Sequence, residues 1–289
     1  MLRRGSKDKA GRPEGLTLRK NTIKKNGLRN SMQNLSLEFF LIAAPAVLFA
    51  GVSKGGFGSG VAFVSAAILA LIIEPGEALA IMLPLLMLID LVTLRPYWGV
   101  WNFADAKVLI LGGIPGIALG ALLFQVVDAD IFRLLIGAVS LGFVLWSVLQ
   151  VRSSVHDHRR PWPDWIGVLL GSVTGFTSFV AHAGGPPAAI FLLSRQRRKT
   201  EYQATTVLVF WVLNIVKFCC YFWLGMMSLQ SGLVGILLAP FALAGAYLGV
   251  YAHGIIPERL FFKLAFFLLS ITGIKLIYDG LFGLIQAPV

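Results

Sequence analysis

Apolar residues run along this chain in long blocks, separated by short polar or glycine-rich breaks. The blocks are continuous rather than alternating, which predicts membrane helices and excludes the strands of a barrel. Long spans are predicted over 78–94, 108–127, 131–151, 203–224, 231–252 and 259–280. Two further regions are interrupted. Residues 37–52, with Pro45 inside, lead into Gly51-Val52-Ser53-Lys54-Gly55-Gly56-Phe57-Gly58-Ser59-Gly60, and apolar sequence resumes over 61–73. Later, residues 166–180 lead into Ala181-His182-Ala183-Gly184-Gly185-Pro186-Pro187, and 188–193 follow. In the first region each flanking piece is roughly 13–16 residues, or about 20–24 Å as a helix, short of a ~30 Å hydrocarbon core. Both regions therefore read as re-entrant pairs or broken helices whose irregular backbone is enclosed by protein. Pro186-Pro187 suits the first turn of a half-helix, and Glu74-Pro75-Gly76-Glu77 reads as a turn.

The two interrupted regions head related halves. At a constant offset of 124, Gly51 falls on Gly175, Ser53 on Thr177, Gly60 on Gly184, Glu77 on Glu201, Ala80 on Ala204 and Asp90 on Asn214. After a five-residue slip, Gly116 aligns with Gly245 and Gly120 with Gly249. Small residues at 112, 116 and 120 give one helix a flat face for close packing. The chain thus divides into a basic tail (1–36), a first half (37–151), a polar linker (152–164), a second half (165–283) and a short end (284–289). The fold expected is an all-α polytopic membrane bundle of about eight spans, two four-span halves each beginning with a glycine-broken helix.

Composition changes this picture little. Hydrophobic residues make up 57% of the 289 and charged residues 13%, against about 25% charged in a soluble domain, and mean hydropathy is +0.78. Of the net charge of +11, the tail contributes +8, from ten Lys/Arg against Asp8 and Glu14. A basic tail votes for a cytoplasmic N-terminus; without interleaved aromatics it gives no nucleic-acid surface. Met32 offers an alternative start just ahead of the first apolar block. With one crossing per broken segment, both termini and the linker lie in the cytoplasm and the basic turn 195–199 lies outside. With two crossings in the second, that turn moves inside and the C-terminus moves out. The four-plus-four arrangement is favoured. The only cysteines, Cys219 and Cys220, are adjacent in an apolar helix and read as filler.

The candidate chemistry sits at the breaks. Lys54 lies between apolar runs, where a lysine is costly unless it meets water or an anion; free N–H groups around Gly55 and Gly56 favour an oxyanion. Ser53, Ser59, Thr177 and Ser178 offer hydroxyl donors, with Gly184 and Gly185 beside them. His182 is a candidate proton shuttle or, when charged, an anion ligand. Asp90 and Asn214 occupy equivalent positions, Asp90 as a proton-coupling candidate and Asn214 as a substrate contact. Lys217 is seven residues from its helix end, within snorkelling reach. Gly58-Ser59-Gly60 with His182 or His253 faintly resembles the serine–histidine dyad of rhomboid intramembrane proteases. There is no H-E-x-x-H, no G-K-[ST] and no metal-spaced cluster, so zinc proteolysis and ATP hydrolysis lack their chemistry.

With these motifs in view, residues 37–283 resemble the TauE/SafE family of sulfite exporters. The likeness rests on Gly51–Gly60 followed by Pro75-Gly76-Glu77-Ala78-Leu79-Ala80, and on Gly171-Ser172-Val173-Thr174-Gly175-Phe176 with Gly184-Gly185-Pro186-Pro187. The Gly116/Gly120 and Gly245/Gly249 helices complete it. Family members often carry three or four consecutive glycines where this chain has Lys54-Gly55-Gly56-Phe57, and the long basic tail is also unusual. The resemblance implies a non-enzymatic, cofactor-free secondary transporter in a bacterial cytoplasmic membrane, with a small sulfur-containing anion (sulfite or an organosulfonate) and the lipid bilayer as its partners. The competing classes are a membrane enzyme and a non-transporting scaffold.

Overall fold

A computed structural model describes residues 36–57, 61–152, 161–252 and 258–286. The chain divides into two units after Leu41. In the first, the Ser36 hydroxyl accepts a hydrogen bond from the Phe39 N–H at 3.1 Å. All packing described below belongs to the second, from Ile42 onward.

Helix α1 (Leu37–Val52) passes into a π turn (Ser53–Phe57), and a short α2 (Val64–Ile72) follows. Three long helices complete the first half: α3 (Pro75–Leu94), which ends in a 3-10 turn (Arg95–Tyr97), α4 (Phe103–Val126) and α5 (Ala129–Arg152). The order then recurs, with α6 (Asp164–Ala181), a short α7 (Gly185–Ser194), and long α8 (Lys199–Trp223), α9 (Leu229–Ala252) and α10 (Glu258–Gln286). Among the described residues eight helices are long and apolar enough to cross a membrane, and no strand is present. This is a polytopic, all-α membrane protein. The expected turn at residues 74–77 is corrected: Pro75, Gly76 and Glu77 form the first turn of α3, with Pro75 at the position where its missing N–H costs nothing. Pro186 and Pro187 open α7 in the same way.

The broken helix of each half packs on a helix of the other half. Along α6, Gly175 meets α4 so closely that a Cβ there would lie 2.0 Å from the Gly113 carbonyl oxygen. A Cβ on Gly116 would lie 2.0 Å from the Ser172 oxygen, and one on Gly112 2.1 Å from the Val168 oxygen. The Ser172 hydroxyl donates across this contact to Gly112 O at 3.0 Å. The mirror contact joins α1 and its π turn to α9: Gly51, Gly55 and Gly56 lie against Ala242, Ala246 and Gly249. Apolar side chains gain little from leaving lipid for protein, so backbone-to-backbone fit holds such helices together.

The second broken segment turns back on itself. Gly184 lies against Thr174 O and the Ser178 side chain, and Gly167, near the start of α6, touches the Phe191 ring of α7. Arg195, just after α7, hydrogen-bonds the Asp164 carboxylate at the start of α6 and pairs with Asp105 at the start of α4 at 3.3 Å. The Arg197 Nε donates to Asp105 at 2.9 Å, a bond that holds its guanidinium above the ordinary arginine range. Asn102 caps α4 through the Asp105 N–H and donates to Glu201 Oε1 at 3.0 Å. Turn 195–199 therefore shares an end with the starts of α4 and α6. That corrects its expected placement on the side opposite linker 152–164, because two acidic helix starts hold it there. The end of α10 lies at the far end, where Gly280 and Gly283 rest on Asp130 at the start of α5.

This arrangement has a direct check. In a variant with Cys219 and Cys220 replaced by serine, Pro161→Cys and Arg198→Cys should react with an impermeant maleimide from one side, and Gln286→Cys from the other. Labelling of positions 198 and 286 from a single side would contradict the folding-back of α7.

Candidate functional site

The sharpest buried charges converge where the two halves meet. The π turn carries Ser53 and Lys54 inward while Gly55 and Gly56 face α9, and π turns are frequent at functional positions. Lys54 is 4% exposed and forms an ion pair with Asp90 of α3, which is wholly buried. The other oxygen of Asp90 accepts from Asn214 Nδ2 of α8 at 2.8 Å. These two residues are 124 apart, so the equivalent positions of the two halves touch each other across the site.

A second cation completes it. Lys217, one turn beyond Asn214 on α8, is wholly buried. Its Nζ donates to Ser178 O at 3.1 Å and to His182 Nδ1 at 2.9 Å. His182 ends α6 in the left-handed region, with φ 54°, a conformation that costs a residue with a side chain of order 1–2 kcal/mol. Its other nitrogen, Nε2, lies 3.1 Å from Leu79 O of α3. A carbonyl oxygen only accepts, so Nε2 carries the hydrogen, and Nδ1 is left as the acceptor for Lys217. Nearby, the Tyr221 hydroxyl donates to Phe179 O at 2.7 Å, tying α8 to the end of α6.

Lys54, Ala62, Leu86, Ser178, His182, Phe210, Asn214 and Lys217 line a cavity. Lys54 and Ser178 are 124 apart, as are Leu86 and Phe210, so equivalent residues face each other across it. Its volume is about 10 Å³ to the centre of a water-sized sphere, room for about one water. Any solute larger than water enters only when the walls separate.

The structure gathers four of the sequence-derived candidate substrate contacts on this cavity, Lys54, Ser178, His182 and Asn214, with Asp90 directly behind Lys54. The others lie elsewhere or are used differently. Thr177 spends its hydroxyl on Val173 O of its own helix at 2.8 Å. Gly55 and Gly56 are pressed on α9, and Gly184 on Thr174 and Phe210. Gly185 begins α7, and Ser53 is buried in the π turn. Ser59 and His253 lie outside the described residues. Among the described residues, the nitrogens of His182 meet Leu79 O and Lys217, and no serine hydroxyl.

Lys217 is the residue that sequence reasoning undervalued. Distance to the helix end suggested snorkelling, yet the side chain is wholly buried, with its ammonium on Ser178 O and His182. The available signal was Asn214, three residues earlier on the same face.

A family model, that of the sulfite exporter TauE/SafE, matches residues 43–276. The chain belongs to this family, and so to a class of multi-pass membrane transporters of sulfite-type anions. No curated protein and no solved structure matches the chain.

Proposed function

We propose that this TauE/SafE family member is a secondary carrier that moves a small sulfur oxyanion, sulfite or an organosulfonate, through the cavity between Lys54 and Lys217. The observation that supports it best is Lys217: a lysine buried at membrane depth whose hydrogen bonds go to a carbonyl and an imidazole rather than to a carboxylate. Buried cations inside a membrane are expensive, and they are retained where an anion or proton path needs them. Ser178 and Asn214 stand beside it as neutral donors for oxyanion oxygens.

The halves, 37–151 and 165–283, serve as repeats of inverted topology with the site on the axis between them, the arrangement of many secondary carriers. Rocking of one half on the other would open the cavity first to one side and then to the other. Linker 152–164 and turn 195–199, both rich in Lys/Arg, favour the cytoplasm for the end they share, in a bacterial inner membrane; the basic tail votes for the opposite assignment, because inverted halves begin on opposite sides. An inside-negative potential then drives anion exit with ~2.3 kcal/mol per charge per 100 mV.

Proteoliposomes loaded with sulfite, or with a sulfonate, should release it when the protein is present. Lys217→Met should slow that release roughly 100-fold, the worth of one charge-assisted hydrogen bond of about 3 kcal/mol. Absence of flux for every oxyanion tried, with the protein folded, would overturn the proposal.

A further inference from the structure

Building on that proposal, we infer that the site is matched to one negative charge, and that a doubly charged anion enters it only with a proton, which Asp90 takes. The inference comes from how the ionisable groups are paired.

Lys54 and Asp90 cancel each other as an ion pair. His182 and Lys217 hold at most a single positive charge between them. With Nε2 bonded to Leu79 O, Nδ1 and the Lys217 nitrogen face each other at 2.9 Å with one proton to share. Charging both would set two donors head to head, with no acceptor between them. With that proton in place the site carries one excess positive charge, whichever nitrogen holds it. A monoanion closes the balance. A dianion leaves an uncompensated negative charge in a low-dielectric interior, where it costs far more than in water.

Asp90 is where a compensating proton fits. It is wholly buried, and its two oxygens are held by Lys54 and Asn214. A proton delivered by hydronium forms an O–H bond on the oxygen that faces Lys54, breaks the hydronium O–H bond that carried it and leaves water, and releases the Lys54 ammonium from the ion pair. Lys54 and the Lys217–His182 pair then both face the dianion, and the balance closes again. Among the described residues, two cations face Asp90. Lys54 faces it from the π turn and Lys217 from α8, while His182, at the α6–α7 turn, meets Lys217. The sequence of α2 has no ionisable side chain, α9 has only Tyr247 and Tyr251, both exposed, and on α5 Asp130 and Arg133 pair with each other near the helix start. One consequence is that monoanion and dianion cross with the same net single charge, so the membrane potential acts equally on both.

Methanesulfonate and sulfate test this, being similar in shape and fixed at one and two negative charges between pH 6 and 9. Titration calorimetry on the whole protein, repeated in buffers of different ionisation enthalpy, reads the protons taken up per anion bound. One proton is expected with sulfate and none with methanesulfonate. Sulfate affinity should fall up to tenfold per pH unit on the alkaline side while methanesulfonate affinity stays level. In Asp90→Asn the sulfate-linked proton should vanish; since the readout in the unaltered protein already decides the matter, misfolding of that variant would not rescue the inference. If the liposomes carry sulfite yet sulfate binds without proton uptake, or methanesulfonate binds with it, the charge rule is wrong and the transport proposal survives. If no oxyanion is carried or bound, both fall together.

Discussion

Lys54→Met should destabilise the protein by roughly 3–5 kcal/mol, because it strands a buried carboxylate without its cation. Asp90 has no exposure to solvent, and with Lys54 gone its remaining short contact is the Asn214 amide. Changing Asp90 to asparagine in the same chain removes the stranded charge, leaves two amides able to bond each other, and should restore most of the lost stability. Transport should not return with it, since the double variant still lacks a cation on that wall of the cavity. Thermal unfolding in detergent, followed beside sulfite flux in liposomes, separates the two quantities. Equal melting temperatures for the single and double variants would mean that Asp90 bears no charge once Lys54 is gone. Lys54→Arg should keep the fold and part of the flux, because a guanidinium preserves the charge but not the compact ammonium geometry.

The second large effect concerns glycine packing. Gly116→Ala and Gly175→Ala each place a methyl carbon 2.0 Å from a backbone oxygen of the facing helix. No side-chain rotation relieves a clash with backbone, so α4 and α6 must separate, and each change should cost at least the roughly 1–3 kcal/mol typical of overpacking. Gly142→Ala on α5 is the control, since nothing lies within 4 Å of the added carbon. There the better helix propensity of alanine should leave stability unchanged or raise it by up to about 1 kcal/mol. Similar losses at all three positions would show that propensity in the membrane, rather than contact between helices, governs these glycines.

Much of this architecture was legible because hydrophobic solvent leaves a plain mark. The continuous apolar blocks located every long helix, and the glycine breaks located both interruptions. The offset of 124 brought out Asp90 and Asn214 as equivalents before any contact between them was visible. Other features depend on which element lies next to which, and that is not written in spacing. The glycines at 116 and 245 were recognisable as counterparts, but their partners belong to the opposite halves. Turn 195–199 was placed by counting crossings, whereas its position follows from Asp105 and Asp164, acids distant in sequence. Lys217 was judged against the end of its own helix, when the burial comes from the turn around His182.

The crosswise pairing of the halves also bears on how the protein is made. Gly51 finds its neighbours at Ala242–Ala246, nearly two hundred residues further along the chain. At a synthesis rate of about 5–20 residues per second, the first broken helix waits on the order of 10–40 s in the bilayer before its partner leaves the ribosome. Through that interval its glycine face lacks the helix that will cover it. The first half is therefore made and inserted before the surface that completes its packing exists, and the order of synthesis sets a lower limit on the time to the finished fold.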